Sequence, residues 1–188
     1  MTAILLILVN FSGSIGPSYG YYSPSLASLN TWLHEKGERE LRTTAITLGA
    51  SGRVDMLKFL TLEATLDYYK GKSPDKKRSL FLLPIDMYLT FKHMLFPVFL
   101  HTYIGAGLGL CYTEYEEQGT PINGWSMGPV VKTSAEFIPT PRLGIEISGG
   151  WRFINVNDID IIDQETENRV PISLWGGYFK ITFERLLK

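Results

Sequence analysis

Apolar and polar side chains alternate one for one through most of this chain. In residues 102–115 the even positions give Ile104, Ala106, Leu108, Leu110 and Tyr112, and the odd positions give Gly105, Gly107, Gly109, Cys111 and Thr113. A two-residue period over that length predicts a strand with one greasy face and one small or polar face. The pattern recurs in residues 9–21, 43–54, 59–69, 81–92, 125–137, 142–153 and 175–184, making eight predicted strands. Most come close to the roughly 9–11 residues that a tilted strand needs to cross a bilayer. One stretch breaks the alternation. Leu26, Leu29, Trp32 and Leu33 recur at helical spacing behind Ser23-Pro24, and Gly37 ends the run, which predicts a short amphipathic helix inside the first long connection.

The connections have a rhythm of their own. They run long (22–42), short (55–58), long (70–79), medium (93–101), long (116–124), short (138–141) and long (155–171). Short turns on the periplasmic side and long loops outside mark an up-and-down membrane barrel, and an even strand count returns both termini to the short-turn side. The predicted fold is therefore all-β: an up-and-down antiparallel eight-stranded transmembrane β-barrel, a single domain over residues 1–188, with a short helix in its first long loop. Residues 1–8 are apolar without a basic start or a small-residue cleavage site, and they read either as the remnant of a signal peptide or as the approach to the first strand.

Collecting the weaker face of every strand gives Arg53, Glu63, Asp67, Asp86, Lys92, Lys132, Glu136, Arg142, Glu146, Arg152, Lys180 and Glu184, six acids and six bases. A soluble barrel would turn these outward. The apolar rows, however, are long, continuous and aromatic-ended, while the opposite faces are mostly Gly, Ser and Thr. An eight-stranded barrel is just wide enough inside to be filled by side chains. The greasy rows are thus predicted to face lipid. Arg53, Glu63, Asp67, Asp86, Lys132, Glu136, Glu146, Arg152, Lys180 and Glu184 are predicted to form a polar network inside. Each needs a partner, since leaving a buried charge unpaired costs about 3–5 kcal/mol.

Composition changes little in this picture. With 45% apolar residues the bulk says nothing of a membrane, but a transmembrane barrel hides from averages because half its strand positions are polar. A net charge of −1 offers no footprint for nucleic acid. The greasiest window, residues 80–100, holds Pro84, Asp86, Lys92 and Pro97, which rules out a lipid-exposed helix there. A single cysteine, Cys111, excludes an intrachain disulfide.

Tyr103-Ile-Gly-Ala-Gly-Leu-Gly109 running into an aromatic strand, Gly20-Tyr-Tyr-Ser-Pro24 closing the first strand, and the amphipathic last strand 175–184 resemble the small eight-stranded outer-membrane β-barrel family of Gram-negative bacteria. The resemblance implies an integral protein of the cell outer membrane, delivered through the periplasm. It implies membrane lipids, lipopolysaccharide and the outer-membrane assembly machinery as partners, and a monomer. One departure stands out. That family usually ends on an aromatic residue, whereas here Phe183 is followed by Glu184-Arg-Leu-Leu-Lys188, so either the assembly signal is internal or the end is altered.

Candidate chemistry is thin. Gly105-Ala-Gly-Leu-Gly109 misses the dinucleotide fingerprint, because Leu110 stands where its last glycine belongs and the run continues as a strand. Glu63 and Asp67 share a face, but four residues along a strand is about 13 Å, beyond the roughly 5–9.5 Å of a glycosidase carboxylate pair. His34, His93 and His101 are scattered without a third metal ligand, and no serine neighbours His101-Thr102 in a recognisable motif. No cofactor, metal or catalytic residue is predicted. The expected role is structural, adhesive or surface-interacting through the long loops, with no wide pore and with the helix as a plug on the barrel rim. Two rivals stay open: a lipid-modifying enzyme or small hydrophobic-ligand carrier on the same barrel, and a soluble lipocalin-like ligand-binding barrel.

Overall fold

A computed structural model describes residues 12–41, 45–75, 77–96, 99–117, 120–156 and 172–187. The expected starts of the first two strands at residues 9 and 43, residues 1–8, and most of the acidic connection 155–171 lie outside them. In chain order the elements are β1 (Gly13–Pro24), α1 (Ala27–Glu35), β2 (Ala45–Leu57), β3 (Leu60–Lys72), β4 (Arg78–Phe96), β5 (Leu100–Glu117), β6 (Thr120–Thr140), β7 (Leu143–Arg152), β8 (Asn155–Val156), β9 (Ile172–Ser173) and β10 (Gly176–Leu187). Eight of the strands close into an antiparallel barrel in which each pairs with its neighbours in sequence, and β10 returns to β1. The closing seam runs from Gly13 opposite Leu187 to Pro24 opposite Gly176. No sheet edge is left along it, which removes the pairing hazard of an open sheet. β8 and β9 form a separate two-stranded ribbon at the base of the last long connection.

The alternation holds in three dimensions with its greasy side out. Ile104 is 66% exposed and Leu108 58%, whereas Asp86 and Arg152 on the opposite parity are fully buried. Exposed Ile46, Leu48, Leu62, Leu66, Met87, Leu89, Ile147 and Phe179 continue the outer wall around the barrel. Aromatic rings gather at both ends of that wall. Tyr68, Phe81, Tyr112 and Trp125 touch in sequence across β3 to β6 at centroid spacings of 5.3, 6.1 and 5.3 Å. Phe153 contacts Trp151 and Trp175 farther round. At the short-turn end, Phe99 stacks on Phe96 and meets Phe137 edge-on. Two such girdles around an apolar band are what a bilayer-spanning barrel needs at its two water interfaces.

Three boundaries differ from the sequence reading. The medium connection 93–101 is mostly strand: β4 runs to Phe96 and β5 starts at Leu100. Met94, Leu95 and Phe96 are all exposed, so alternating polarity fades there without the strand ending. The turn-rich stretch 116–124 is also largely strand, with Glu117 paired to Thr120, so β5 and β6 form the longest hairpin of the barrel. β10 extends past Glu184 to Leu187, because Leu187 completes the seam with Gly13.

The helix sits where the spacing placed it. Leu26, Leu29 and Leu33 are buried, and the chain leaves α1 through Gly37 at φ +69, a left-handed conformation that favours glycine. There the Gly37 amide donates to His34 and the Glu38 amide to Leu33, the paired bonds of a glycine C-cap.

Candidate functional site: the filled barrel interior

All ten residues assigned to the interior lie inside the barrel and are at least 95% buried. They sort into two clusters. In the one toward the short-turn end, the Arg53 guanidinium donates from Nη1 to Glu146 at 2.8 Å and from Nη2 to Glu184 at 2.9 Å, with Glu136 at 2.7 Å. Its Cζ sits over Tyr103, 4.2 Å from the ring centroid, and the Tyr103 hydroxyl donates to Glu136 at 2.5 Å. Lys132 reaches Glu63 on one side and Glu146 on the other. In the second cluster, Arg152 donates from Nε to Asp86 at 2.9 Å and from Nη2 to both Asp86 and Asp67. Lys180 adds a 3.0 Å contact to Asp67. The Tyr88 hydroxyl donates to Asp86 at 3.0 Å and shares a 2.9 Å hydrogen bond with Tyr178. Tyr22 and Tyr178 flank the Arg152 guanidinium at 4.8 and 4.6 Å.

This arrangement follows from strand parity and register. Arg53 stands opposite Glu63 in the β2–β3 ladder, and Glu136 opposite Glu146 in the β6–β7 ladder. Such neighbours are close enough for direct contact, but the strongest bonds cross the lumen instead. Glu63 and Asp67, neighbours on one strand face, serve different clusters. Buried charges repay their desolvation only with good geometry and several partners, and the guanidinium forks supply both.

Two members of the wider set of twelve stand apart. Lys92 reaches Asp55 at 3.5 Å near the short-turn rim and is partly exposed. Arg142 is exposed in the β6–β7 turn, because it lies beyond the last inward position of that hairpin. The interior is also less polar than the sequence reading held. Beyond the Arg152 cluster it becomes an apolar core of Tyr69, Leu80, Leu82, Tyr115, Ile154 and Leu174, into which α1 presses Leu26, Leu29 and Leu33. Leu80 and Leu82 share parity with Asp86 on β4, but as apolar residues they drop out of a tally of the charges on that face. The segment after α1 is pinned too: Asn30 makes two hydrogen bonds to the Leu41 backbone, and Arg78 bridges Glu38 at 3.0 Å and Glu117 at 2.7 Å.

Little else is shaped for chemistry. His101 faces inward, its Nδ1 3.4 Å from Glu136, on the side of the wall away from lipid. Among the described residues no three His, Cys, Asp or Glu side chains gather as a metal site. A hollow of about 750 Å³ lies on the outer wall between Leu89, Phe91, Ile104, Val131 and Trp151, over Gly149. Its lining is that of a surface filled by hydrocarbon. The glycines of the opening strand do not all make room in the lumen: a side chain on Gly107 would strike the Met87 carbonyl of β4, whereas one on Gly109 would meet Asp86.

No protein-family model matches this sequence, and no curated protein matches it either. Solved structures do. The outer membrane protein OprG of Pseudomonas aeruginosa is 11% identical, covers 94% of this chain and 96% of its own, and superposes with a TM-score of 0.66. Neisserial surface protein A is 14% identical over 94% of this chain and 96% of its own, with a TM-score of 0.58. Ail, the attachment invasion locus protein of Yersinia pestis, is 9% identical over 94% and 97%, with a TM-score of 0.55. These likenesses show the fold: the chain is a closed eight-stranded barrel of the kind seen in these small outer-membrane proteins, with an exposed apolar wall around it.

Proposed function

We propose that this protein is a non-catalytic, non-porous outer-membrane barrel that works at the cell surface through the elements above its outer aromatic girdle, in a structural or adhesive role. One observation carries the reading. Two ion-pair clusters and an apolar plug lie in series along the barrel axis, so the surface left for function is the crown. Among the described residues of the crown, Thr31, His34, Glu35, Arg39 and Glu40 are exposed on the outer side of the helical lid. A structural neighbour named for attachment, Ail, was solved with a heparin analogue, which makes adhesion the first activity to test.

Bacteria displaying the chain should gain attachment to host-cell matrix. Replacing His34, Glu35, Arg39 and Glu40 with serine should remove that gain while the barrel keeps its heat-modifiable gel mobility. The same purified protein in planar bilayers should give no large stable channels. Equal attachment with and without the chain, or porin-sized conductance, would overturn the proposal. A small-hydrophobe carrier is the second reading, favoured by the apolar core beneath α1. It requires a labelled apolar solute to cross proteoliposomes only when the chain is present.

A further inference from the structure

We propose that Glu184 and Glu136 hold one shared proton at neutral pH, which makes the short-turn end of the barrel a latch that alkali releases. The site lies at the opposite end from the crown and is independent of any adhesive role.

The charges around Arg53 do not balance. Four buried carboxyls, Glu63, Glu136, Glu146 and Glu184, face two cations, Arg53 and Lys132. His101 stands 3.4 Å from Glu136, and even with its imidazole counted as a cation, three bases meet four acids. Lys92 does not make up the difference, because it pairs with Asp55 at the rim. Ser14, Tyr88 and Tyr103, which also face the cluster, bring only hydroxyls. The second cluster, by contrast, is even: Arg152 and Lys180 against Asp67 and Asp86. A carboxylate sealed from water without a cation of its own is strongly disfavoured, and such a group keeps its proton instead.

Position singles out Glu184. Lys132 bonds Glu63 and Glu146, and Arg53 Nη1 donates to Glu146 as well. Glu136 and Glu184 are left to one nitrogen: Arg53 Nη2 donates to Glu184 at 2.9 Å and stands 2.7 Å from Glu136 Oε1. That oxygen is buried and accepts no hydrogen bond, whereas Oε2 of the same carboxylate takes the Tyr103 hydroxyl. Glu184 lies within hydrogen-bond reach of Glu136. A proton on Glu184 turns two repelling carboxylates into a donor and an acceptor, as in other carboxyl pairs that share one site. Glu63 also has a bare oxygen, Oε2, but the Lys132 ammonium bonds its other one, so Glu63 is the control position.

The pair bears on closure. Arg53 joins β2 to Glu136 on β6 and Glu184 on β10, and Glu184 lies two residues before Leu186, which pairs with Ser14 across the seam. Losing the proton would set two carboxylates against each other on a single nitrogen. The unfolded chain gives up a glutamate proton near pH 4.3. A proton kept only by the folded barrel makes stability fall as pH rises above that value, until the pair lets it go.

The test uses the full-length chain folded in zwitterionic micelles. Infrared spectra at neutral pH should show the carbonyl stretch of a protonated carboxyl. Alkali and Glu184→Gln should each remove it, and Glu63→Gln should keep it. Glu184→Gln should fold, because its amide can donate to Glu136 as the carboxyl does. In urea titrations between about pH 5 and 9, the unfolding constant of the wild type should rise relative to that of Glu184→Gln by up to about tenfold per pH unit, the slope of one proton. His101 is present in both proteins, so its contribution cancels. A wild type without the carboxyl band at neutral pH, a band removed by Glu63→Gln rather than Glu184→Gln, or parallel stability profiles would overturn the proposal.

Discussion

At the scale of single residues, facing was legible in the sequence and pairing was not. Parity alone put Leu108 on the lipid wall and Arg152 inside, because a strand offers each residue only two directions. Leu108→Arg should therefore cost about 2–4 kcal/mol if it lies near the midplane, read from urea-dependent refolding into phospholipid vesicles. Which carboxylates meet Arg152 could not be read, since Asp86 and Asp67 are 66 and 85 residues away and the bonds cross the lumen. Arg152→Met should destabilise the barrel by about 3–5 kcal/mol by stranding Asp86, while Asp67 keeps Lys180. Adding Asp86→Asn should recover part of the loss in the same assay. Glycines separate by their surroundings rather than their parity. The Cβ of Gly107→Ala would lie 1.7 Å from the Met87 carbonyl, whereas at Gly149 the nearest atom is 3.5 Å away. Gly107→Ala should lower refolding stability by about 1–3 kcal/mol, as overpacking does, and Gly149→Ala should be close to neutral.

Elements were legible where one period governed them and blurred where two overlapped. The spacing of Leu26, Leu29 and Leu33 located α1 because that stretch breaks the one-for-one alternation of the strands on either side. Its depth in the barrel was hidden, because the apolar core that receives it is built partly from Leu80 and Leu82, inward residues on a strand whose outer face is equally greasy. The lid segment is held to β4 and β5 by Arg78 between Glu38 and Glu117. The guanidinium hydrogen bond holds the Glu38 carboxyl below the usual carboxylate range. A carboxyl whose folded value is depressed contributes fully above its unfolded value, about 4.3 for glutamate, and loses that contribution as pH falls through the folded value. The lid should thus stay closed at neutral pH and loosen only in acid below about pH 4. Emission from a variant that keeps Trp32 as its sole tryptophan would report it. Glu38→Gln should shift the acid-induced change to smaller amplitude, and an unchanged profile would show that the bridge does not hold the lid.

At the scale of the whole molecule, closure ties the two faces together. Turning the greasy rows outward is tolerable only in hydrocarbon, and turning the charges inward is tolerable only if the sheet seals them from water and lets them pair across the lumen. β10 serves both conditions at once. It supplies Phe179, Ile181 and Phe183 to the wall, Lys180 and Glu184 to the two clusters, and the ladder to β1 that removes the last edges. Replacing inward Lys180 and Glu184 by Met and Gln should weaken the barrel but leave its closure, so a faster-migrating folded band should survive in unheated SDS gels. Breaking the seam should do more. Proline at Tyr21, within the paired stretch of β1, removes an amide from a strand that has a neighbour on each side. That single change should abolish the folded band, although Tyr21 carries no charge and points outward, half exposed. If Tyr21→Pro folds as well as the Lys180/Glu184 double variant, the ladder is not what holds the barrel shut.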